Sequence, residues 1–323
     1  MSPVKNGSKE GLRILVIKHG ALGDIVQALD GFSSIRNGYP NAHIALLVGS
    51  PFSDFVKMMP WFDTVIPDKR ANLFNFVEAS RLKTCFDQGW HMVVDMQGTN
   101  RTKWYMRFFG RLTTCWIGRF SGASMLLPDF GKINNSDRFV EIAKIAGGVY
   151  EPANMDWLLS AQKNKDKASD LRPKGPYSII VPGCSLAKPQ KRWPAERFAG
   201  IANALLGYDL MVLVVGTNDD REAVDAVLAL APDAVDLCGK TNLVALAQLM
   251  RGADFVIGND TGPMFLAART GVPSLMIMGP DTDPTMSAPK GAATSWLQGA
   301  PISKISAIAA IDALESLGLK PNA

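Results

Sequence analysis

Short apolar runs alternate with longer amphipathic segments along the whole chain. The runs are rich in Val, Ile and Leu, as expected of strands that are buried on both faces of a sheet. Segments with helical spacing of apolar positions separate them in both halves, which predicts an α/β fold with parallel sheets covered by helices. The predicted strands are residues 14–17, 44–48, 92–94, 178–181, 210–215, 255–257 and 274–278, and the predicted helices are residues 24–36, 195–206, 220–230 and 243–250.

The alternation is interrupted between residues 151 and 176, where the segment AQKNKDKASDLRPKGP is polar, charged and closed by two prolines. Such a composition is typical of a connector. We therefore predict two Rossmann-like domains, residues 1–160 and 161–323, with the last helix a candidate to pack back on the first domain. Open α/β sheets bind ligands beyond the carboxyl ends of their strands, so we expect the two sheets to face a central cleft.

The composition of the chain excludes several classes of protein. The 323 residues, 47% of them hydrophobic, are enough for two cores. A formal net charge of +4 lacks the basic excess of a dedicated nucleic-acid binder. The four cysteines have no close pairs, which argues against a disulfide framework and a thiolate zinc site and fits a reducing compartment. The amino-terminal apolar run ILVI is too short for a signal peptide or a spanning helix. We therefore expect a cytoplasmic protein.

The first candidate site is the segment KHGALGD, which follows the first predicted strand. It lacks the GxGxxG spacing of a dinucleotide-binding turn. Two interpretations of Asp24 are open. As a carboxylate in the first turn of a helix, it would stabilise the helix dipole by about 1 kcal/mol. At the edge of a ligand cleft, it would serve as a general base.

A second candidate site follows the strand in MVVDMQGTNR. Asp95 and Gln97 are expected at the same sheet edge, and Arg101 and Lys103 begin a basic and aromatic stretch. That stretch would receive an anionic, amphiphilic acceptor or rest on a membrane surface. Equally, it would form a helix that buries its aromatic side chains and solvates its charges. The stretch also contains Trp104, Tyr105, Arg107, Phe108, Phe109 and Arg111.

The second half opens with SIIVPGCSLAKPQKRWPAERF, which predicts a strand, a polar loop and a helix with Pro194 in its first turn. Lys191 in that loop would neutralise a phosphate as a point charge, and the Ser185 hydroxyl would add a hydrogen bond. The alternative is that Lys191 is a solvated surface charge.

The segment DFVIGNDTGPMFLAARTGVPSLMIMGPDTDP is the most informative. A strand is expected to end at Gly258, Asp260 or Thr261 to cap the next helix, and Pro263 to occupy its first turn. The unpaired N–H groups and the dipole of that helix would bind an anion such as a diphosphate. The alternative is a well-capped buried helix.

The sequence gives little support for other kinds of catalytic site. The three histidines, His19, His43 and His91, form no HExxH pair, and neither a nucleophile elbow nor a GxxxxGK[ST] loop occurs. The sequence therefore disfavours metal, serine-hydrolase and P-loop chemistry, and we expect no metal and no cofactor.

Taken together, these segments resemble the heptosyltransferases of glycosyltransferase family nine, which act in lipopolysaccharide core synthesis. The matching segments are RILVIKHGALGDIVQAL, VVDMQG, PGCSLAKPQKRWPAERF, GNDTGPMFLAA and GPDTDP. They follow the family's order and span most of the chain.

The resemblance implies a GT-B fold in which the first domain holds the acceptor and the second holds the nucleotide sugar. It further implies an inverting, metal-independent transfer of heptose from ADP-heptose to a Kdo or heptose hydroxyl of a lipid-linked inner core, at or near the cytoplasmic membrane. Asp24 matches the general base and Lys191 the lysine that contacts the donor phosphates. The donor-binding positions implied are Ser185, Asp220, Asp260, Thr261 and Gly262, and the acceptor-binding residues expected in the first domain are Asp95, Gln97, Arg101 and Lys103.

One position departs from the family pattern. Phe265 stands where many members carry a histidine, four residues into the helix that follows DTG. This change keeps two alternatives open: a GT-B transferase with another nucleotide sugar or acceptor, and a noncatalytic nucleotide-sugar-binding protein. The presence of Asp24 and Lys191 favours an enzyme.

Overall fold

The computed structural model describes residues 11–71, 75–161, 165–185 and 187–320. Residues 1–10 of the amino-terminal segment and residues 162–164 of the predicted connector lie outside the described residues. Contacts divide the chain into two units, Met1–Asn154 and Met155–Ala323.

The first unit is a parallel six-stranded sheet with helices. Its strand order is β3-β2-β1-β4-β5-β6. The strands are β1 (Arg13–Ile17), β2 (His43–Gly49), β3 (Thr64–Asp68), β4 (Met92–Asp95), β5 (Cys115–Gly118) and β6 (Met125–Leu126). The helices are α1 (Leu22–Gln27), α2 (Leu29–Gly38), α3 (Ser53–Val56), α4 (Phe76–Phe86), α5 (Asn100–Phe109) and α6 (Asn135–Ile145).

The second unit repeats this architecture. Its strands are β7 (Tyr177–Val181), β8 (Met211–Val214), β9 (Val235–Asp236), β10 (Phe255–Asn259), β11 (Ser274–Met278) and β12 (Thr294–Gln298). They pair in parallel in the order β12-β11-β10-β7-β8-β9. The helices are α7 (Asp156–Leu159), α8 (Lys165–Leu171), α9 (Ala195–Gly207), α10 (Arg221–Leu228), α11 (Leu243–Gly252), α12 (Gly262–Thr270), α13 (Pro284–Ser287) and α14 (Ala307–Ser316).

Both sheets have the Rossmann strand order, because numbering the strands within each unit gives 3-2-1-4-5-6 in both cases. The direction of winding reverses between β1 and β4 in the first unit and between β7 and β10 in the second. Ligands of such sheets bind beyond the carboxyl ends of the strands at this reversal. The loops after these four strands are therefore where each unit is expected to carry its site.

All seven predicted strands are present, because each is a continuous apolar run buried on both faces of its sheet. Strands β3, β5, β6, β9 and β12 were not predicted; β6 and β9 have only two residues each, and most residues of β3 and β12 are partly or fully exposed. The single helix predicted over residues 24–36 is wrong, because the chain ends α1 at Gln27 and starts α2 at Leu29. Helices α2 and α6 approach so closely that a Cβ atom on Gly31 would lie 2.7 Å from the carbonyl oxygen of Phe139.

The predicted connector is partly helical. Helices α7 and α8 lie within it and pack on α11, so this segment belongs to the second unit. The last helix, α14, packs on α9 and β11 of the same unit. Among the described residues, no helix is long and apolar enough to cross a membrane.

Candidate active site

The loop between β1 and α1 brings a buried cation to a partly exposed carboxylate. Lys18 lies directly after β1, and its side chain is only 4% exposed. Its Nζ atom is 3.5 Å from Oδ2 of Asp24, whose side chain is 43% exposed. Asp24 lies in the first turn of α1, where its charge is favourable to the helix dipole. Its exposure also leaves it accessible to a ligand, so the geometry is compatible with both interpretations of Asp24.

Lys18 is held in an apolar setting. Its Nζ atom lies 4.7 Å from the centre of the Phe139 ring, a distance typical of a cation–π contact. Burial lowers the pKa of Lys18, and the neighbouring Asp24 and Asp95 oppose that effect. The two carboxylates therefore favour the charged form of the ammonium group, which burial disfavours.

Asp95 at the end of β4 positions its own loop. The residue is 1% exposed. Its Oδ1 atom accepts hydrogen bonds from the N–H groups of Gln97 (3.1 Å) and Gly98 (2.8 Å), and Oδ2 accepts one from the Thr102 hydroxyl (2.6 Å). Burial raises the pKa of Asp95, against the lowering effect of these hydrogen bonds. The structure therefore places Asp95 behind the loop, where it fixes the main chain, and not on an accessible surface.

A chain of polar contacts runs from the first loop to α5. His19 Nε2 lies 3.0 Å from Asp68 Oδ2 at the end of β3. The same oxygen accepts a hydrogen bond of 2.6 Å from the Tyr105 hydroxyl, which in turn accepts one from Arg101 Nε. Burial alone would raise the pKa of Asp68, but the contacts with His19 and Tyr105 and the N–H group of Arg70 outweigh it and lower that pKa to about 2. Asp68 is therefore ionised at neutral pH.

An open cavity of about 560 Å³ lies over this chain of contacts. The Oε1 atom of Gln97 accepts a hydrogen bond of 2.9 Å from the N–H group of His19, which joins the loops after β1 and β4 at the winding reversal. No Asp or Glu lines the cavity in the described part of the chain, so its charged lining is cationic. The lining residues are His19, Lys69, Arg70, Gln97, Thr99 and Arg101.

The four acceptor-binding residues expected from the sequence do not meet in one place. Gln97 and Arg101 line the 560 Å³ cavity, and Asp95 is buried behind it. Lys103 instead lines a second cavity of about 240 Å³, with its Nζ atom 5.5 Å from the centre of the Phe120 ring. Residues two apart on a helix project in different directions, which explains why Arg101 and Lys103 separate. The four residues therefore do not line a single cavity.

In the second unit, the loops after β7, β10 and β11 meet around Asp260. Its Oδ2 atom accepts hydrogen bonds from Lys191 Nζ and from the Thr282 hydroxyl, the latter at 2.6 Å. The side chains of Lys191 and Asp260 are 16% and 7% exposed. Lys191 is therefore a partly buried, paired cation, and the alternative of a solvated surface charge is wrong.

The amide side chains of Gln298 and Asn259 hold the loops around Asp260 in place. Gln298 at the end of β12 donates hydrogen bonds to the carbonyl oxygens of Thr282 (2.6 Å) and Gly279 (3.2 Å). The fully buried Asn259 accepts a bond of 2.9 Å from the N–H group of Trp193 and donates one of 2.7 Å to the carbonyl oxygen of Pro182. These bonds connect the segment that follows Lys191 to the end of β10.

The start of α12 largely matches the sequence prediction. Thr261 is the N-cap residue and Pro263 lies in the first turn, but the Thr261 hydroxyl makes no capping hydrogen bond. The helix begins at Gly262, whose N–H group has no acceptor within the helix; Pro263 has no N–H group, and that of Met264 donates to the carbonyl oxygen of Thr261 at 3.1 Å. Phe265 is buried, at 7% exposure. Pro194 lies at the N-cap of α9 and not in its first turn.

Ser185 and Asp220 lie in the neighbouring loops. Ser185 is exposed in the loop after β7. Asp220 ends a 3-10 turn after β8, and its Oδ2 atom accepts hydrogen bonds from the N–H group and hydroxyl of Thr217. A Cβ atom on Gly183 would lie 2.1 Å from Asp220 Oδ1, so glycine lets the two loops touch. All the donor-binding residues predicted from the sequence therefore belong to the second unit, on loops after neighbouring strands.

Sequence reasoning missed several residues of these networks. Asp68 ends β3 and Arg70 follows it, and the short apolar run of this strand contains a proline and lacks a clear strand pattern. Thr282 lies in the GPDTDP turn, whose sequence alone does not single out one residue for a role. Within the described residues, no group of three or more His, Cys, Asp or Glu side chains is placed to hold a metal ion.

Comparisons with known proteins identify the family. The family model of glycosyltransferase family 9 (heptosyltransferase) matches residues 87–301. Lipopolysaccharide heptosyltransferase 1 of Pseudomonas aeruginosa is 24% identical over 283 residues, which cover 83% of this chain and 79% of that protein. Lipopolysaccharide heptosyltransferase 2 of Escherichia coli is 29% identical over 303 residues, or 84% of each chain.

Solved structures agree on the fold. A glycosyl transferase of family 9 from Veillonella parvula has a TM-score of 0.79 at 21% identity, over 96% of this chain and 98% of that one. The E. coli heptosyltransferase WaaC with ADP has a TM-score of 0.77 at 18% identity, over 95% of this chain and all of that one (100%). The chain therefore belongs to glycosyltransferase family 9. It is a glycosyltransferase built from two Rossmann-like units of the GT-B class, which confirms the family and fold predicted from the sequence.

We predict that Asp68→Asn lowers the free energy of unfolding of the first unit by about 2 kcal/mol at pH 7, since a pKa lowered from 3.8 to about 2 corresponds to that energy. The ionised carboxyl group stabilises the fold above its unfolded-state pKa, and this stabilisation is lost as the pH falls through about 2. The difference between wild type and variant should therefore shrink by roughly half at pH 3. Urea unfolding at both pH values measures it.

Asp54→Asn is the matched control, because that side chain is 92% exposed and pairs only with Lys57 in the described structure. We expect no measurable change from it at either pH. An Asp68→Asn effect of the same size at pH 7 and pH 3 would contradict the assignment of a depressed pKa to Asp68.

Proposed function

We propose that this enzyme transfers a heptose from ADP-heptose to a Kdo or heptose hydroxyl of the lipopolysaccharide inner core, with inversion at the anomeric carbon. The observation that carries the proposal is the group formed by Lys191, Asp260 and Thr282 beside the start of α12. It is supported by the names of the relatives, which are lipopolysaccharide heptosyltransferases, and by the solved structure of WaaC with ADP.

The second unit holds the donor diphosphate in this proposal. Breaking the bond between sugar and diphosphate leaves negative charge on the departing oxygen, which a fixed cation and unpaired N–H groups stabilise. Lys191 supplies the cation, and the N–H group of Gly262 at the start of α12 supplies a hydrogen bond at the positive end of the helix dipole. Asp260 and Thr282 set the direction of the Lys191 ammonium group. Ser185 adds a hydroxyl donor to the phosphates, and Asp220 lies toward the nucleoside.

The first unit supplies the base. Asp24 takes the proton of the attacking acceptor hydroxyl, so that the oxygen becomes a better nucleophile as it bonds to the anomeric carbon. The proton ends on the Asp24 carboxyl group, and the electron pair of the broken bond leaves with the diphosphate. Lys18 Nζ, 3.5 Å from Asp24 Oδ2, orients the carboxylate before the reaction.

The first unit also binds the acceptor. Kdo carries a carboxylate, and the 560 Å³ cavity offers cationic side chains for it together with the amide of Gln97. Arg70 is exposed, whereas Arg101 is partly committed to Tyr105 and to the carbonyl oxygen of Ala71. We therefore assign direct acceptor recognition to Arg70, Arg101 and Gln97, and a positioning role to Asp95.

The presence of Phe265 is a reason to test nucleotide sugars other than ADP-heptose as donors. A buried phenyl ring offers no hydrogen bond to a phosphate, whereas a histidine at this position would. An enzyme that accepts another nucleoside diphosphate sugar would be distinguished by comparing donors in one assay of acceptor-dependent diphosphate release. A protein that binds donors but releases no diphosphate with any acceptor would match the noncatalytic alternative.

Asp24→Asn should lower kcat at least about 1000-fold, because the substitution removes the proton acceptor but keeps the shape of the side chain. Binding of ADP should stay within a few fold of wild type. Acceptor-dependent diphosphate release and calorimetric titration with ADP measure the two quantities. Asp87→Asn is the control, since that side chain is similarly exposed at 40% and pairs with Lys83 on the surface. Equal losses of transfer and ADP binding would count against the base role.

Lys191→Ala should lower kcat/KM for the donor on the order of 100-fold, because it removes the charge that stabilises the leaving group. Lys188→Ala in the same loop is the control, because Lys188 is exposed and its main chain, not its side chain, forms the hydrogen bonds that hold it there. Wild-type donor kinetics in Lys191→Ala would remove that residue from the mechanism.

Thr282→Val should lower donor kcat/KM about tenfold, because it deletes the hydrogen bond that orients Asp260 at constant side-chain size. Thr282→Ser should restore most of the activity, since it returns the hydroxyl group. Thr285→Val, an exposed position of the same turn, is the matched control. A Thr282→Ser variant as slow as Thr282→Val would assign the effect to packing and not to the hydroxyl.

Arg70→Gln should raise KM for a water-soluble, deacylated inner-core acceptor about tenfold, with little change in donor KM. The reason is the loss of a charged contact to the acceptor carboxylate. Lys103→Gln is the control, because its side chain lines the other cavity. Steady-state kinetics with each substrate varied separately measures both constants. If Lys103→Gln changes acceptor KM as much as Arg70→Gln does, the acceptor site is misplaced.

A further inference from the structure

We propose that the outward face of α5 and the turn that follows it form a docking surface for an anionic lipid bilayer. We define this docking surface by the exposed residues Trp104, Arg107, Phe108, Arg111 and Leu112. The inference goes beyond the transfer reaction, since bilayer binding needs no turnover and is measured without substrates.

Charge supports a negatively charged partner. Between Asp95 and Asp129 the chain contains no Asp or Glu but carries the five cations Arg101, Lys103, Arg107, Arg111 and Arg119. This segment alone therefore exceeds the formal charge of +4 of the whole protein. In the part of the chain that the structure describes, Arg107 and Arg111 are exposed and form no ion pair with a carboxylate. Basic side chains on such a surface are attracted to anionic lipid headgroups.

Exposed apolar side chains lie among these cations. Trp104, Phe108 and Leu112 are 42%, 56% and 59% exposed. Their spacing of four residues places them along one side of α5 and the 3-10 turn Gly110–Leu112. The Trp104 and Phe108 rings stack with their centres 5.4 Å apart. Aromatic side chains interleaved with Arg are typical of helices that lie in the headgroup region of a membrane.

The opposite side of the same helix anchors it to the unit. Tyr105 is fully buried, Met106 is 8% exposed, and Thr102 is held by Asp95. The buried side of α5 therefore supplies the apolar contacts to the core, and the apolar residues of the docking surface are additional to these. An amphipathic helix normally has only one apolar side, so a second one that faces solvent indicates a partner.

A cavity beside the docking surface can seat a lipid headgroup. It has a volume of about 240 Å³ and lies between α5 and residues 113–124. Lys103 and Arg107 supply positive charge, and Ser121 and Ser124 supply hydroxyl groups. Trp116 forms an aromatic wall. No carboxylate lines it within the described residues, so its chemistry suits the phosphate of a lipid headgroup.

The decisive measurement is sedimentation of the purified full chain with phosphatidylcholine vesicles, with and without phosphatidylglycerol, at low and high salt. We expect binding to vesicles that contain phosphatidylglycerol and its loss at high salt or without the anionic lipid. Arg107→Glu/Arg111→Glu should weaken binding at least about tenfold. Trp104→Ala/Phe108→Ala should weaken it about tenfold at unchanged net charge.

Matched variants in the second unit control for charge and hydrophobicity. Arg197→Glu/Lys304→Glu changes the net charge equally, and Trp296→Ala/Ile308→Ala removes comparably exposed apolar side chains. Both controls should bind vesicles as wild type does. Quenching of tryptophan fluorescence by brominated lipids should be reduced in Trp104→Phe, which retains binding.

Three outcomes would overturn the proposal. One is binding that is equal with and without anionic lipid. Another is weakening of vesicle binding by the control variants to the same extent. The third is a lipid-free dimer that Trp104→Ala/Phe108→Ala dissociates, which would assign the docking surface to a second copy of the chain. Because activity on a water-soluble acceptor is measured separately, failure of docking and failure of the transfer mechanism are distinguishable.

Discussion

A buried charge in a protein is stable only when it has partners, and this constraint shapes the ends of β3 and β4 in the first unit and the loop after β10 in the second. Asp68, Asp95 and Asp260 are largely buried, and each accepts hydrogen bonds from groups on other loops or on its own. Since an unpaired carboxylate there would be costly, these hydrogen bonds hold the loops around Asp68 and Asp95 in the first unit and, separately, those around Asp260 in the second. Rigid loops are what a site for a diphosphate or a sugar acid needs.

The two units use that constraint in different ways. In the first unit, the carboxylates lie beneath the surface, and the cations Arg70 and Arg101 line the cavity. In the second unit, Asp260 pairs directly with Lys191, and Thr282 shares the same carboxylate oxygen. A paired lysine loses less side-chain entropy when a phosphate arrives, because the carboxylate has already fixed its direction. The ion pair between Lys191 and Asp260 therefore serves to orient the lysine in advance more than to stabilise the fold. A buried ion pair adds little to stability, because removing both charges from water is costly.

The sequence predicted the class of fold and the loops that carry the site, because both follow from strong local patterns. Buried parallel strands are continuous apolar runs, and the polar residues that directly follow β1, β4, β7 and β10 fall at the sheet edge by topology alone. The sequence did not reveal β3 or Asp68, since a short strand containing Pro67 gives no clear periodic signal. The sequence also could not show that Arg101 and Lys103 line different cavities, because the direction of a side chain depends on where the helix is anchored. Tyr105 and Thr102 set that anchor through contacts with Asp68 and Asp95, which lie on other elements.

Helix α5 connects the 560 Å³ cavity with the docking surface, because different sides of the helix carry different side chains. Arg101 at its start lines the cavity assigned to the acceptor, whereas Trp104 and Phe108 belong to the docking surface. From Arg101 to Phe108 the helix rises about 10 Å, which is the distance along the helix axis between the cavity and the docking surface. A lipid-linked saccharide could therefore reach the cavity while its acyl chains stay in the bilayer. The proposed docking also accounts for the absence of Asp and Glu between residues 96 and 128, because pairing these cations within the protein would weaken the attraction that the proposal requires.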